Sequence, residues 1–382
     1  MTRSMRLPEV DKLLDYFEEH VDLTHIKNIE RLNYDALNYK DIPFLPLTIR
    51  TTPEGFDPFP LEDAFDNPEK MLYNELLTST FHSSYNSVRT KDHCALQIRS
   101  NHGIGIIASL FGCKSSIFNN EMPWVSHISL EDAKKAFARG VPDFNKALGK
   151  KVIDTYHYYH DRLKDYPKTY QAVRITQPDM QGAYDIFHLV VGNDCFLYVY
   201  DDPQFCREAL EVITETYIRF REFVDPLLTD SYNTDSVFVH GFLCGGKVLL
   251  KTDTAAINLS QHMYHDYEAI WDTRIFEHFS KHGGGSLHYC GLERDWHYQE
   301  MYDKNLRSIN LGNPEMHSLK KAHNFWKEHK VAIAGWGVNQ DSSHLEEVYK
   351  LNIRTGMQLM TIVDNTEQGK EIIKSHEERM AG

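Results

Sequence analysis

Short apolar runs recur along the chain, each followed by a cluster of Gly, Pro, Asn or Asp and then by a longer stretch with apolar positions at helical spacing. Eight such runs read as strands: residues 43–49, 95–99, 172–176, 248–251, 286–289, 308–311, 331–334 and 358–363. Strands alternating with helices predict parallel βα units. Eight of them, with no glycine-rich dinucleotide turn after the first, fit a (β/α)8 barrel better than the alternative, an open doubly wound sheet.

The helices between the runs carry their own punctuation. Asn67 stands as N-cap before PEKMLYNELL, with Pro68 at the first helical position, and the segment from Asp201 to Val224 opens on Asp-Pro and carries an apolar stripe. A further helix starts at Ser260 and stops at the glycine run 283–285. Residues 1–40 are amphipathic and read as an N-terminal helical extension that covers the barrel bottom or an edge, leaving 41–382 for the barrel. The stretch from about 100 to 165 looks long and irregular, a place for lid or rim elements.

Composition narrows the classes. The 382 residues, 41% hydrophobic, suffice for one large core, and a net charge of -14 opposes a nucleic-acid backbone or an anionic membrane as main partner. No stretch approaches the ~18 apolar residues of a membrane span, and the N-terminus turns charged too early for a secretory signal, so a cytoplasmic protein is expected. Six dispersed cysteines read as free thiols.

In a parallel barrel the polar residues just past each strand converge on one mouth. In chain order these are Arg50; Arg99, Asn101 and His102; Gln177, Asp179 and Gln181; Asp253; His288 and Cys290; Asn313 and Glu315; Trp336 and Asn339; and Asp364. Strand alternation sends His288 and Cys290 to the same face, where an imidazole and a thiolate could share a borderline cation such as zinc. Two ligands alone do not make a site, and the plain alternative is a mouth histidine beside a small buried cysteine. Glu315 or Asp364 is the candidate third ligand. Asp253 could act as acid, base or anchor, or simply bond loop amides. Asp179, Gln181, Tyr184 and Asp185 crowd one loop shaped by Pro178 and Gly182. Arg99 and His102 could hold a carboxylate or phosphate, or form a structural salt bridge. Trp336, flanked by glycines, is either a flat pocket wall or a core plug.

These residues carry a resemblance. His288-Tyr289-Cys290-Gly291 is similar to the HxCG strand end of the uroporphyrinogen decarboxylase superfamily and its methyltransferase relatives. KTDTAAINLSQHMYHDYE, GNPE and AGWGV resemble the family's neighbouring strand ends, and the likeness spans roughly residues 40–380. It implies the barrel, a pocket for a small molecule, and two chemistries. For tetrapyrrole decarboxylation the family's motif is only partly present. Arg50 and a tyrosine, Tyr184, match, but Ser100 or Asn101 stands where an aspartate is expected and the last strand offers no histidine. For methyl transfer the relatives bind zinc through His, Cys and a later Cys, and the resemblance implies a corrinoid, a corrinoid protein or a small methyl donor as methyl source. His288 and Cys290 match the first two ligands, while the later cysteine is replaced, with Glu315 or Asp364 to complete the set. The resemblance therefore implies a zinc-assisted methyltransferase first, a decarboxylase or lyase second, and a non-catalytic corrinoid- or tetrapyrrole-binding protein third.

Overall fold

The computed structural model of the chain describes residues 6–78, 83–229 and 236–381. Its strands in chain order are β1 (Leu47–Arg50), β2 (Gln97–Arg99), β3 (Lys114–Ser116), β4 (Trp124–Ser126), β5 (Arg174–Thr176), β6 (Ser236–Val239), β7 (Phe242–Gly245), β8 (Val248–Thr252), β9 (Gly285–Tyr289), β10 (Leu306–Leu311), β11 (Ala332–Trp336) and β12 (Met357–Ile362). All eight expected strand runs contain a strand. They form a (β/α)8 barrel with a helical N-terminal extension. β1-β12-β11-β10-β9-β8 form a parallel sheet of six strands, and β2 and β5 pair in parallel beside it.

The two gaps between these sheets are bridged largely by side chains. At the β5/β8 seam the Gln177 amide stands in for a strand, donating from Nε2 to Leu249 O at 2.8 Å and accepting from Leu249 N at 3.2 Å, with Gly182 N donating to Lys251 O at 2.7 Å just above. At the β1/β2 seam Asp92 accepts from Ile49 N at 2.7 Å, while His93 donates its backbone N–H to Leu47 O and accepts Leu47 N on Nδ1. These bonds pair backbone groups of Leu47, Ile49, Leu249 and Lys251 that the seams would otherwise leave without a strand partner.

Alternation along the strands sorts side chains into two layers. Ile49, Leu250, Leu287, Ile309 and Leu359 face the helices in the main core. Leu249, Ala334 and Met360 face the lumen, where they meet Val237, Val239, Phe242 and Cys244. These last four belong to an antiparallel hairpin, β6–β7, that the sequence reading missed. It lines the barrel interior from the amino-terminal side: Ser286 Oγ donates to Gly245 O at 2.6 Å, Gly245 N donates to Ser308 Oγ at 3.1 Å, and Gln358 Nε2 donates to Leu243 O at 2.8 Å. Its tip, His240-Gly241, has φ of +47° and +96°, the two left-handed positions that a two-residue hairpin turn needs.

The extension closes the same end. Helix Leu23–Leu37 sends Glu30 to the Arg174 guanidinium at 2.6 and 2.7 Å, Asn33 to His93 O, and Ala36 O to Gly356 N. Asn67 caps helix Pro68–Leu77 and Asp202 caps Pro203–Val224, as their sequences predict. Two expectations change. The helix after Ser260 is broken by a π turn, His265–Ala269, between Gln261–Tyr264 and Ile270–His278. The stretch 100–165 is more regular than its composition suggests, holding the β3–β4 hairpin and helices Ile106–Leu110, Leu130–Ala138 and the 17-residue Ala147–Leu163.

Candidate functional site

Strands β8, β9 and β10 run side by side and in register, Lys251 beside His288 and His288 beside Asn310. Their inward residues therefore form a row at the carboxyl end of the barrel. His288 Nε2 lies 3.1 Å from Cys290 Sγ and 3.9 Å from an Asp253 carboxylate oxygen. Its Nδ1 lies 2.5 Å from Asn310 Oδ1, and the same Asn310 amide donates from Nδ2 to Ala334 O at 2.5 Å. That second bond fixes which end of the amide faces the ring. Nδ1 consequently carries the proton, and the Nε2 lone pair points toward the thiol and the carboxylate. A backbone carbonyl thus orients an asparagine, which orients an imidazole, the arrangement by which a metal-ligating histidine is usually held.

Electrostatics keep this pair neutral. Burial, reinforced by the Lys251 charge, brings the His288 imidazole down to about 4, and burial, followed by the Asp253 carboxylate, pushes the Cys290 thiol up to about 12. Cys290 is the one cysteine of the six that is not fully buried. Gly312 gives the pair its room, since a Cβ there would collide with Cys290 Sγ and come within 2.9 Å of His288 Cε1.

Beside the pair runs a buried ion network. Asp179 pairs with Lys251 Nζ at 2.7 Å and with Arg99 Nη1 at 3.0 Å. Burial alone would raise the Asp179 carboxyl, but the two cations outweigh it and hold it at about 2. Lys251 Nζ also stands 3.5 Å from His240 Nε2, and the His240 ring meets that of His288 edge to face at 4.8 Å. The hairpin tip is thus the floor of the site. Glu75 accepts from Arg99 N at 3.0 Å and from Asn101 Nδ2 at 2.9 Å, and burial raises its carboxyl.

The structure sorts the candidates. His288, Cys290, Asp253, Asp179 and Arg99 come together, and Arg50 lies half-buried at the end of β1, on the lumen side by alternation with Ile49. Arg99 serves Asp179 rather than waiting for a substrate anion. Gln181 is fully buried, and its amide finds no partner among the described residues. Others are placed elsewhere. His102 faces Thr155 and Phe65, away from Arg99's partners, with burial bringing it down to about 4. Asn101 is spent on Glu75. Tyr184 packs outward among Phe187, Phe196 and Tyr267, because it belongs to the first turn of helix Ala183–Val191. Trp336 is a core plug in the layer beneath the helices, where it sits level with Leu359. The register shifts between Ile333 and Trp336, at the left-handed Gly335, and this reverses which face the ring takes.

Glu315 is exposed in the turn Pro314–Met316, bonded to Asn313, and Asp364 is exposed beyond β12. Neither joins His288 and Cys290, and among the described residues no three His, Cys, Asp or Glu side chains converge as a metal-holding group. Asn310, Lys251, His240 and Glu75 were not picked out from the sequence. For Lys251 the signal was available, as it lies two residues before Asp253, while Asn310 joins His288 only through the β9/β10 register. His240 sits in VFVHGFLC, where a Gly follows between two apolar runs. Glu75 lies inside a helix, and nothing in the sequence marks it.

No protein-family model matches the chain, and no curated protein does either. Solved structures do. A methyltransferase from Methanosarcina mazei superimposes with a TM-score of 0.60 at 13% identity, over 90% of this chain and 96% of that one. Among the described residues no helix is long and apolar enough to cross a membrane. At that identity the likeness is one of fold, and it extends over nearly the whole of both chains: this protein shares the barrel fold of that structure.

Proposed function

We propose that the protein is a methyltransferase-like enzyme of the uroporphyrinogen decarboxylase superfamily, and that His288, Cys290 and Asp253 hold a zinc ion at the barrel mouth. The observation that carries this reading is the direction of the His288 Nε2 lone pair, fixed by Asn310 toward Cys290 and Asp253. The donor set can be tested against zinc. With Zn–N of about 2.0 Å and Zn–S of about 2.3 Å, a tetrahedral site separates N from S by about 3.6 Å and N from O by about 3.3 Å. The two separations from His288 Nε2 are 3.1 and 3.9 Å, so the N–S and N–O edges each need to change by about half an ångström before the three side chains, which do not yet converge as they stand, could close on an ion. Asp253 replaces Glu315 and Asp364 as the third donor because its carboxylate stands 3.9 Å from His288 Nε2, whereas both of those are exposed.

Zinc in such a place lowers the pKa of a bound thiol and leaves a nucleophile at neutral pH. The chain's own residues supply the rest. Asn310 keeps the imidazole in its metal-binding tautomer, and Gly312 leaves the room in which the Cys290 sulfur and the His288 ring sit side by side. Lys251, shared between Asp179 and His240, places a positive charge next to the site, which favours a substrate that carries or develops negative charge. A small thiol as methyl acceptor, with a corrinoid or a corrinoid protein as methyl donor, fits these features.

The purified protein is expected to bind one zinc per chain and to demethylate methylcobalamin in the presence of a small thiol, followed by the cobalamin absorbance. Cys290→Ser and His288→Ala should lose both properties. A wild-type protein that stays metal-free in zinc-supplemented buffer refutes the zinc centre. Tight cobalamin binding without turnover would leave a binding protein instead.

A further inference from the structure

We infer that Asp185 is the positioning residue that holds Asp253 against the His288–Cys290 pair, resting on the reading that Asp253 works at that pair. Asp185 is fully buried at the start of helix Ala183–Val191, and its two oxygens take four consecutive backbone N–H groups of the loop after β8. Oδ2 accepts from Asp253 N at 2.8 Å and Thr254 N at 3.0 Å, and Oδ1 from Ala255 N at 2.6 Å and Ala256 N at 2.8 Å. Four successive amides turned to one point make a concave anion seat, here filled by the chain's own carboxylate. The Asp253 side chain is not part of that seat. It is braced by Thr254 Oγ1 at 3.0 Å and turns toward His288 Nε2. Asp185 thus fixes the backbone on which the Asp253 carboxylate swings, without touching the pair itself.

The base of the loop is held from a second side. Glu268, on the π turn, accepts from Tyr184 N at 2.9 Å and from Thr252 Oγ1 at 3.1 Å, tying the end of β8 to the turn that carries Asp185. Gly182 completes the junction, since a Cβ there would run into Glu268 Oε1. A π turn inside a helix is a feature that recurs at functional sites. In this case it points Glu268 at the junction.

The test is a mutant cycle on the full chain with Asp185→Asn, Asp253→Asn and the double variant. The metal-free readout is the rate of Cys290 alkylation by iodoacetamide at fixed pH, located by peptide mass spectrometry; zinc affinity is the second. Moving the Asp253 charge away from the thiol should speed alkylation by about three- to tenfold in either single variant. The double variant should add nothing further. A general loosening of the fold would instead act equally with and without Asp253, and an equal effect in both backgrounds overturns the inference, as does an unchanged rate in folded Asp185→Asn. Should that variant not fold, Asp185→Glu carries the same cycle. A coupled cycle in a protein that takes up no zinc keeps the positioning role and removes the zinc centre. An uncoupled cycle in a zinc protein does the reverse.

Discussion

The tautomer of His288 is the point on which the metal reading can be pressed hardest. Replacing Asn310 with Leu keeps the volume of the side chain but takes away the acceptor of the Nδ1–H and the donor to Ala334 O. His288 is 2% exposed, so the orphaned N–H cannot turn to bulk water. Leaving such a group unpaired costs about 1–3 kcal/mol. The ring can recover part of this by moving its proton to Nε2, facing Cys290, but in that tautomer the metal-binding lone pair is gone. Loss of such an outer partner lowers metal affinity by about 10- to 100-fold, or about 1.4–2.8 kcal/mol. Zinc competition against a chromophoric chelator measures this directly. Asn310→Asp, which keeps an acceptor, should recover much of the loss. If Asn310→Leu binds zinc within about twofold of wild type while His288→Ala does not bind, the tautomer argument is wrong.

Three further outcomes follow from the same structure. Gln177→Ala removes the amide that bridges Leu249 and accepts from Arg221 Nε, and should cost about 3 kcal/mol in urea unfolding; a loss under about 1 kcal/mol would mean the β5/β8 seam does not depend on it. Gly335→Ala forces a side chain into a left-handed position and toward Phe242, whose Cζ a Cβ would approach to 2.7 Å. It should destabilise by about 2–4 kcal/mol, and Phe242→Ala in the same chain should relieve part of that, whereas strict additivity would separate the hairpin from β11. Burial raises the carboxyls of Glu268 and Asp272 well above the ordinary range and, with the Asp253 charge, brings Asp185 to about 6. A raised folded-state value means that the native chain keeps protons the unfolded chain has released. These groups therefore cost stability progressively as the pH rises from about 4, the unfolded value. Asp272→Asn should gain thermal stability relative to wild type as the pH goes from 5 to 8; parallel melting curves would refute this.

Local sequence pattern was enough to foresee the barrel. Eight apolar runs with helical segments between them are a local signal, repeated along the chain, and Asn67, Asp202 and Gly283 mark element ends through hydrogen bonds and φ angles that are settled within a few residues. The pairing of His288 with Cys290 was equally legible, because a period of two is a property of one strand. What lay between strands was not. Asn310 belongs with His288 through the β9/β10 register, Asp185 reaches the loop after β8 across 68 to 71 residues of chain, and the β6–β7 hairpin reads as one more apolar run until there is a lumen for it to fill. Trp336 and Tyr184 show the limit from the other side. Both follow strands, where polar mouth residues are expected, yet a register shift at Gly335 and an early helix turn direct them to the outer core. Only the closed barrel decides which face is the lumen, because that depends on backbone partners far away in sequence, and local side-chain pattern carries no information about them.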